Sequence, residues 1–143
     1  MTVVVLDASV ALALVLEDEG SPVADALVAE VEKGKVGLLA PAHWPLEVLS
    51  GLEQAARRRR IGAADRAPAF EAILGLGVGV VPLSEPMTAL LSLADLERLR
   101  VYDAAYLSLA LERRARLATL DAALSAVARR RGIAWYRGAA RIR

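Results

Sequence analysis

The sequence predicts a three-layer α/β sandwich, with one mostly parallel central sheet of four to five strands between two layers of helices. Three observations predict it. Short apolar runs alternate along the chain with longer segments of helical period, the pattern of repeated β–α units. The first run, Val3-Val4-Val5-Leu6, is apolar at every position, as a strand covered on both faces must be. The chain has 143 residues, 56% of them hydrophobic and 24% charged. That is enough for one core of this kind and too apolar for disorder. Residues 1–143 are therefore expected to form a single domain.

The elements follow in order. Val3–Leu6 is the first strand, ended by Asp7, and Ala8–Leu16 is a helix. Ser21-Pro22 supplies a cap and a first-turn proline for the helix Val23–Lys33, which Gly34 stops. Gly37–Ala40 is a second strand. Pro41 and Pro45 flank the start of a helix running to Arg60, with Gly62 beyond it. Ala64–Leu74 is helical, and Gly77–Val81 is a third strand. Ser84-Glu85-Pro86 opens a helix to Leu99, and Tyr102–Arg114 forms the next. Arg116–Thr119 is a fourth strand. Ala122–Arg131 is the last helix, closed by Gly132. Ile133-Ala134-Trp135 is a short fifth strand, and the tail Gly138–Arg143 is expected to be loosely held.

Composition excludes several classes. No cysteine is present, so disulfides, thiolate metal sites and a cysteine nucleophile are ruled out, and a reducing compartment fits. A single histidine, His43, rules out a multi-histidine metal site. Mean hydropathy is +0.41, yet no run reaches the roughly 20 apolar residues of a spanning helix. Val3–Leu16 contains Asp7 and Ser9, and Ala72–Leu83 is broken by glycines and Pro82. No basic segment precedes the first run, so a signal peptide is not expected. The expectation is a soluble, cytoplasmic protein with no membrane contact. Charge is uneven: residues 1–56 hold nine acids and two lysines, net −7, and residues 57–143 hold sixteen arginines and eight acids, net +8. Arginine suits bidentate phosphate contacts, so a nucleic-acid or acidic partner fits.

Four carboxylates stand at equivalent places. Asp7 follows the first strand and Asp121 the fourth, Glu47 lies in the first turns of the helix after the second strand, and Asp103 opens the helix Tyr102–Arg114. In a parallel α/β fold, strand carboxyl ends and the following helix amino ends share one sheet edge, where ligands bind. Acids far apart in sequence should therefore converge. Taken singly, each reads as a helix cap or a first-turn acid favoured by the dipole. Asp7 and Glu47, however, are embedded in apolar sequence, and a buried acid must be paired or ligated. The sequence shows no internal cation to pair them. Carboxylates in one cleft repel and take up protons unless something positive binds. Mg²⁺ or Mn²⁺, with oxygen ligands, meets that need and supports phosphoryl transfer.

The residues that carry these acids resemble a known family. Val4-Val5-Leu6-Asp7-Ala8-Ser9-Val10, Pro45-Leu46-Glu47-Val48-Leu49, Tyr102-Asp103-Ala104-Ala105-Tyr106-Leu107-Ser108-Leu109-Ala110 and Leu117-Ala118-Thr119-Leu120-Asp121 are similar to the motifs of PIN-domain ribonucleases, above all the VapC-type toxins of toxin–antitoxin pairs. The likeness covers nearly the whole chain in order. It implies a PIN-like fold and a Mg²⁺- or Mn²⁺-dependent endoribonuclease. It also implies an RNA substrate, an antitoxin partner and a homodimer. Asp7, Glu47, Asp103 and Asp121 match the acidic quartet, with Asp7 and Asp103 as the most direct metal ligands. Ser9 and Thr119 match supporting hydroxyls. Position 50 is serine where many members carry asparagine, and position 125 is serine where some carry an acid. In-line attack by a metal-activated water, leaving a 5′-phosphate, is the expected chemistry.

Other features are placed around this site. Arg98 and Arg100, just before Asp103, are candidates to grip phosphate, or else surface charges. Arg57–Arg60 and Arg129–Arg131 suit helix carboxyl ends, on the sheet edge away from the acids; if the helix pair around Ala55–Ala67 projects beyond the sheet, Arg57–Arg60 are instead free to contact RNA or a partner. Trp44 and Trp135 read as packing anchors. With six aromatics in the chain, a stacking platform is not indicated; Tyr102 and Tyr106 flank the site by sequence, where one could stack on a base, and core packing is the preferred reading. The Ala/Leu-rich helices either complete the core or leave an apolar face for a dimer or antitoxin. A haloacid-dehalogenase-like phosphohydrolase is the main alternative enzyme, but it would need a second aspartate where Ser9 stands. A non-catalytic binding domain with the acids as caps is the other alternative.

Overall fold

The computed structural model describes residues 1–135; Gly138–Arg143 lies outside the described residues. Four parallel strands form the sheet: β1 (Thr2–Leu6), β2 (Val36–Pro41), β3 (Gly79–Val81) and β4 (Arg116–Ala118), in the order β3-β2-β1-β4. β1 is central. Val4 pairs with Leu38 on one side and Arg116 on the other. Val4, Val5 and Leu6 are completely buried, which is why the run is apolar at every position.

Seven helices flank the sheet among the described residues: α1 (Ala8–Val15), α2 (Pro22–Glu32), α3 (Trp44–Arg57), α4 (Arg66–Leu74), α5 (Ala89–Glu97), α6 (Val101–Arg113) and α7 (Ala122–Arg130). Strand order decides their sides. β1, β2 and β3 step one way, and the chain then returns past them to β4, so right-handed crossovers place α1–α4 on one face and α5–α7 on the other. The packing agrees: α1 touches α2, α3 and α4, while α6 lies on β1, β2 and β4 and against α5 and α7. The core joins the β1 side chains to Val10, Trp44, Val48, Leu52, Tyr106 and Leu107. No helix among the described residues is long and apolar enough to cross a membrane.

Several expected boundaries move. Ile133-Ala134-Trp135 forms no full strand: Ala134 makes an isolated parallel bridge with Leu117, closed by two backbone bonds. The third strand starts at Gly79 rather than Gly77, because Gly77 adopts a positive φ of 77° and turns the chain. The helix expected from Ser84 begins at Ala89, entered through three successive i to i−3 backbone bonds from Pro86 to Leu91. α3 ends at Arg57 rather than Arg60. Arg59 takes a left-handed φ of 58°, with Arg59 N–H bonded to Ala56 O and Arg60 N–H to Ala55 O, the paired bonds of a Schellman end. α5 and α6 also end on left-handed arginines, Arg98 and Arg114.

Candidate active site

The strand order reverses between β1 and β4, and this switch point is where the fold leaves an open crevice. Asp7 and Thr119 are the residues that leave the two strands there. Asp7 N–H still bonds Ala118 O at 3.0 Å, extending the ladder by one rung. Asp7 is only 6% exposed. Although it occupies the N-cap position of α1, its side chain makes no cap bond. Instead Ser9 Oγ donates to Asp7 Oδ2 at 2.7 Å and Thr119 Oγ1 donates to the same oxygen at 2.6 Å. Oδ1 takes no bond among the described residues and is left for a ligand. Both hydroxyls are themselves fixed: Leu120 N–H donates to Ser9 Oγ at 2.9 Å and Asp121 N–H to Thr119 Oγ1 at 3.0 Å.

Burial pushes the Asp7 carboxyl above the usual carboxylate range. The two hydroxyl bonds pull it part of the way back, and the charges of Glu47 and Asp103 push it further up. Asp7 thus feels the charges of Glu47 and Asp103. Asp103, in the first turn of α6, is buried as well. It does have a counter-cation: Arg100 Nε stands 3.3 Å from Asp103 Oδ2, with the guanidinium otherwise open to solvent. This corrects the expectation that no internal cation pairs the acids. The Asp103 carboxylate, and after it the charges of Glu47 and Asp121, raise the affinity of Arg100 for its proton. Arg98 is exposed at the end of α5, two residues before it.

Glu47 lies in the first turn of α3 and is reached from α6. Tyr106 Oη donates to Glu47 Oε1 at 2.6 Å. Burial, then this bond to Glu47, drives the Tyr106 phenol far above its ordinary value, so it remains a neutral donor. His43 Nε2 stands 3.1 Å from Tyr102 O and 3.4 Å from Glu47 Oε1. The sequence does not place His43 at the site, and Tyr106, which flanks the site in sequence, reads there as packing. The signal was helical spacing: Tyr106 is three residues after Asp103, and His43 four before Glu47. Tyr106 is buried in the core as expected. Tyr102 is not: its residue is 58% exposed and its ring lies on His43.

Asp121 behaves as the cap reading expects. Its Oδ2 accepts from Leu124 N–H at 2.9 Å and caps α7. Its second oxygen remains available at the same edge. Four arginines of the two runs are paired away from the acids. Arg57 pairs with Glu53, and Arg60 pairs with Asp18 and Glu19 after the α1 end. Arg130 and Arg131 both grip Glu97 on α5. α3 and α7 run away from the acid edge, so their basic carboxyl ends lie far from Asp7.

The donor set of the acid cluster is all oxygen, carboxylates backed by hydroxyls, which suits a hard divalent ion. Among the described residues no three acids stand gathered tightly enough to hold an ion as their side chains lie.

The comparisons bear on the fold and the family. No curated protein matches the chain. PAE2754 from Pyrobaculum aerophilum superposes with a TM-score of 0.66 at 25% identity, covering 87% of this chain and 78% of that one. VapC20 from Mycobacterium tuberculosis, described as a sarcin–ricin loop cleaving toxin, superposes at 0.62 with 18% identity over 87% and 94% of the two chains. VapBC2 from Rickettsia felis, solved on a DNA fragment from its promoter, superposes at 0.62 with 12% identity over 84% and 89%. At these identities VapC20 and VapBC2 show a shared fold. The PIN domain family model matches residues 4–130, from within β1 to the end of α7, and the chain belongs to the PIN domain family.

Proposed function

We propose that this chain is an endoribonuclease that hydrolyses RNA phosphodiester bonds with Mg²⁺ or Mn²⁺, and that it is the toxin of a type II toxin–antitoxin pair. The observation that carries the reading is Asp7: a buried carboxylate at the switch point, anchored through one oxygen by two hydroxyls and faced by further acids. A structural cap has no need of such a setting. PIN domains generally use divalent metal ions. Asp7, Glu47, Asp103 and Asp121 would hold the ion here. It would supply charge neutralisation at the phosphodiester and a water of lowered pKa.

The chain's own residues have separable tasks. Ser9 and Thr119 fix the Asp7 rotamer, and the Tyr106 hydroxyl fixes Glu47, so neither acid pays rotamer entropy on binding. Arg100 neutralises Asp103 in the free protein and is placed to take a substrate phosphate, with Arg98 extending the same exposed edge. Leu91 and Leu96 on α5 and Leu46 on α3 are large exposed apolar side chains. They are candidates for the homodimer and for an antitoxin, a partner supported by the likeness to VapBC2. The proposed setting is the cytoplasm, where RNA is available.

The test is incubation of the purified chain with total RNA in Mn²⁺, Mg²⁺ or EDTA, beside Asp7→Asn and Asp103→Asn. Cleavage confined to the metal lanes, lost in both variants and leaving 5′-phosphate ends, is expected. A 2′,3′-cyclic phosphate would contradict the hydrolytic route.

A further inference from the structure

A cavity of about 420 Å³ opens beside the acids, between the first half of α3 and the start of α6. Tyr102, His43, Ser50, Gln54, Arg100 and Glu47 line it. We propose that this cavity is a nucleobase subsite, taking the base of the nucleotide next to the cleaved phosphodiester in single-stranded RNA. The inference rests on the endoribonuclease reading above.

Stacking comes first. Tyr102 is 58% exposed, yet its ring is held in place. It lies over His43 with centroids 5.4 Å apart and planes 23° from parallel. His43 in turn meets the buried Tyr106 edge-on at 4.9 Å. The imidazole is held through one nitrogen, Nε2, which stands 3.1 Å from Tyr102 O and 3.4 Å from Glu47 Oε1. The three rings form a column rooted in the core and ending at solvent in Tyr102. An exposed aromatic fixed in this way is preorganised to receive a flat ring, and RNA readers use such aromatics on unstacked bases.

The opposite wall is polar. Gln54 Nε2 donates to Ser50 Oγ at 3.2 Å. That bond leaves the Ser50 hydroxyl hydrogen as a free donor and Gln54 Oε1 as a free acceptor, a turn apart on one helix face. An adjacent donor and acceptor match the edge of a nucleobase. Serine at position 50, one of the two departures noted in the motifs, supplies the accepting hydroxyl here. Two of the lining residues, Arg100 and Glu47, also belong to the acid cluster. A base in the cavity therefore places its own phosphate beside Arg100. The volume is in the range of small-ligand sites.

The experiment measures binding without cleavage. A fluorescein-labelled single-stranded RNA decamer and an abasic ribose-phosphate decamer are titrated with the protein in Ca²⁺ and followed by anisotropy. The wild type is expected to prefer the base-bearing strand by about tenfold or more, the usual worth of one stacked base. Tyr102→Ala should bring the two strands to parity, Tyr102→Trp should restore the preference, and Gln54→Ala should change which bases are favoured. Thermal melting by circular dichroism checks that each variant folds. A folded Tyr102→Ala that keeps the wild-type preference overturns the subsite, as does a wild type that binds both strands equally or neither. A wild type that shows the preference but cleaves no RNA with Mn²⁺ overturns the nuclease reading and supports the subsite.

Discussion

Thr119→Val removes one hydroxyl and keeps the shape of the side chain. That hydroxyl donates to the buried Asp7 Oδ2 at 2.6 Å and accepts from Asp121 N–H at 3.0 Å. A bond to an ionised group contributes about 1.5–3 kcal/mol and a neutral one about 1 kcal/mol. Asp121 N–H is only part-buried and can turn to water, so most of the loss comes from Asp7. The expected destabilisation at neutral pH is about 2–3 kcal/mol. The sign with pH follows from the Asp7 carboxyl. Burial raises its folded pKa above the ordinary 3.8, and the Thr119 bond opposes that rise. For an acid raised in the folded state, stability falls as pH climbs from the unfolded value through the folded one. Losing Thr119 raises the folded value further, so the penalty is full above that range and shrinks as pH falls below it. Urea unfolding at about pH 7.5 and about pH 4 should show the loss falling to about 1 kcal/mol in acid. On an Asp7→Asn background it should also be about 1 kcal/mol at both pH values. Cleavage should drop about 10–100-fold, as when a supporting partner of a metal ligand is removed. Equal losses at both pH values would refute the claim that Asp7 is held as an anion.

Asp121 both caps α7 and stands at the acid edge, and two substitutions separate the roles. Asp121→Asn should keep the bond to Leu124 N–H and hold stability within a few tenths of a kcal/mol, while Asp121→Ala should cost about 1 kcal/mol in a thermal melt. Both should lose cleavage; full activity in Asp121→Asn would leave Asp121 a cap alone. Gly51 lets α3 approach α1: a Cβ there would meet Leu12 Cδ1 at 2.3 Å. Gly51→Ala should cost about 1 kcal/mol net by urea unfolding, and on a Leu12→Ala background it should instead stabilise by about 1 kcal/mol through helix propensity. Arg59 ends α3 at a φ of 58°, so Arg59→Gly should raise stability by about 1 kcal/mol, read as a higher melting temperature.

Much of the site was legible because it depends on topology. An apolar run ending in Asp7, and a second ending at Thr119 and Asp121, are sequence signals for strand carboxyl ends, and parallel strands bring those ends together. What was hidden lies in side-chain direction. The cap reading treated Asp7 and Asp121 alike, and backbone position does not separate them. Only Asp121 turns its carboxylate to its own helix, because Ser9 and Thr119 hold Asp7 the other way. The Arg100–Asp103 pair was visible as spacing of three on a helix start, and it was assigned to RNA instead. Packing is the preferred reading of Tyr102 from the sequence; its exposure follows from its place at the open amino end of α6. Ile133–Trp135 has strand composition, yet it adds only a bridge beside the three-residue edge strand β4.

The central claim is that the acids at the β1–β4 switch point bind the ion that cleaves RNA. Mn²⁺ titration by calorimetry, with cleavage measured in the same samples, tests it most directly. For the wild type, cleavage should rise along the binding curve, and Asp7→Asn and Asp103→Asn should lose both while melting as folded proteins. Cleavage that persists in EDTA, or variants that bind Mn²⁺ and cleave as the wild type does, would contradict the account.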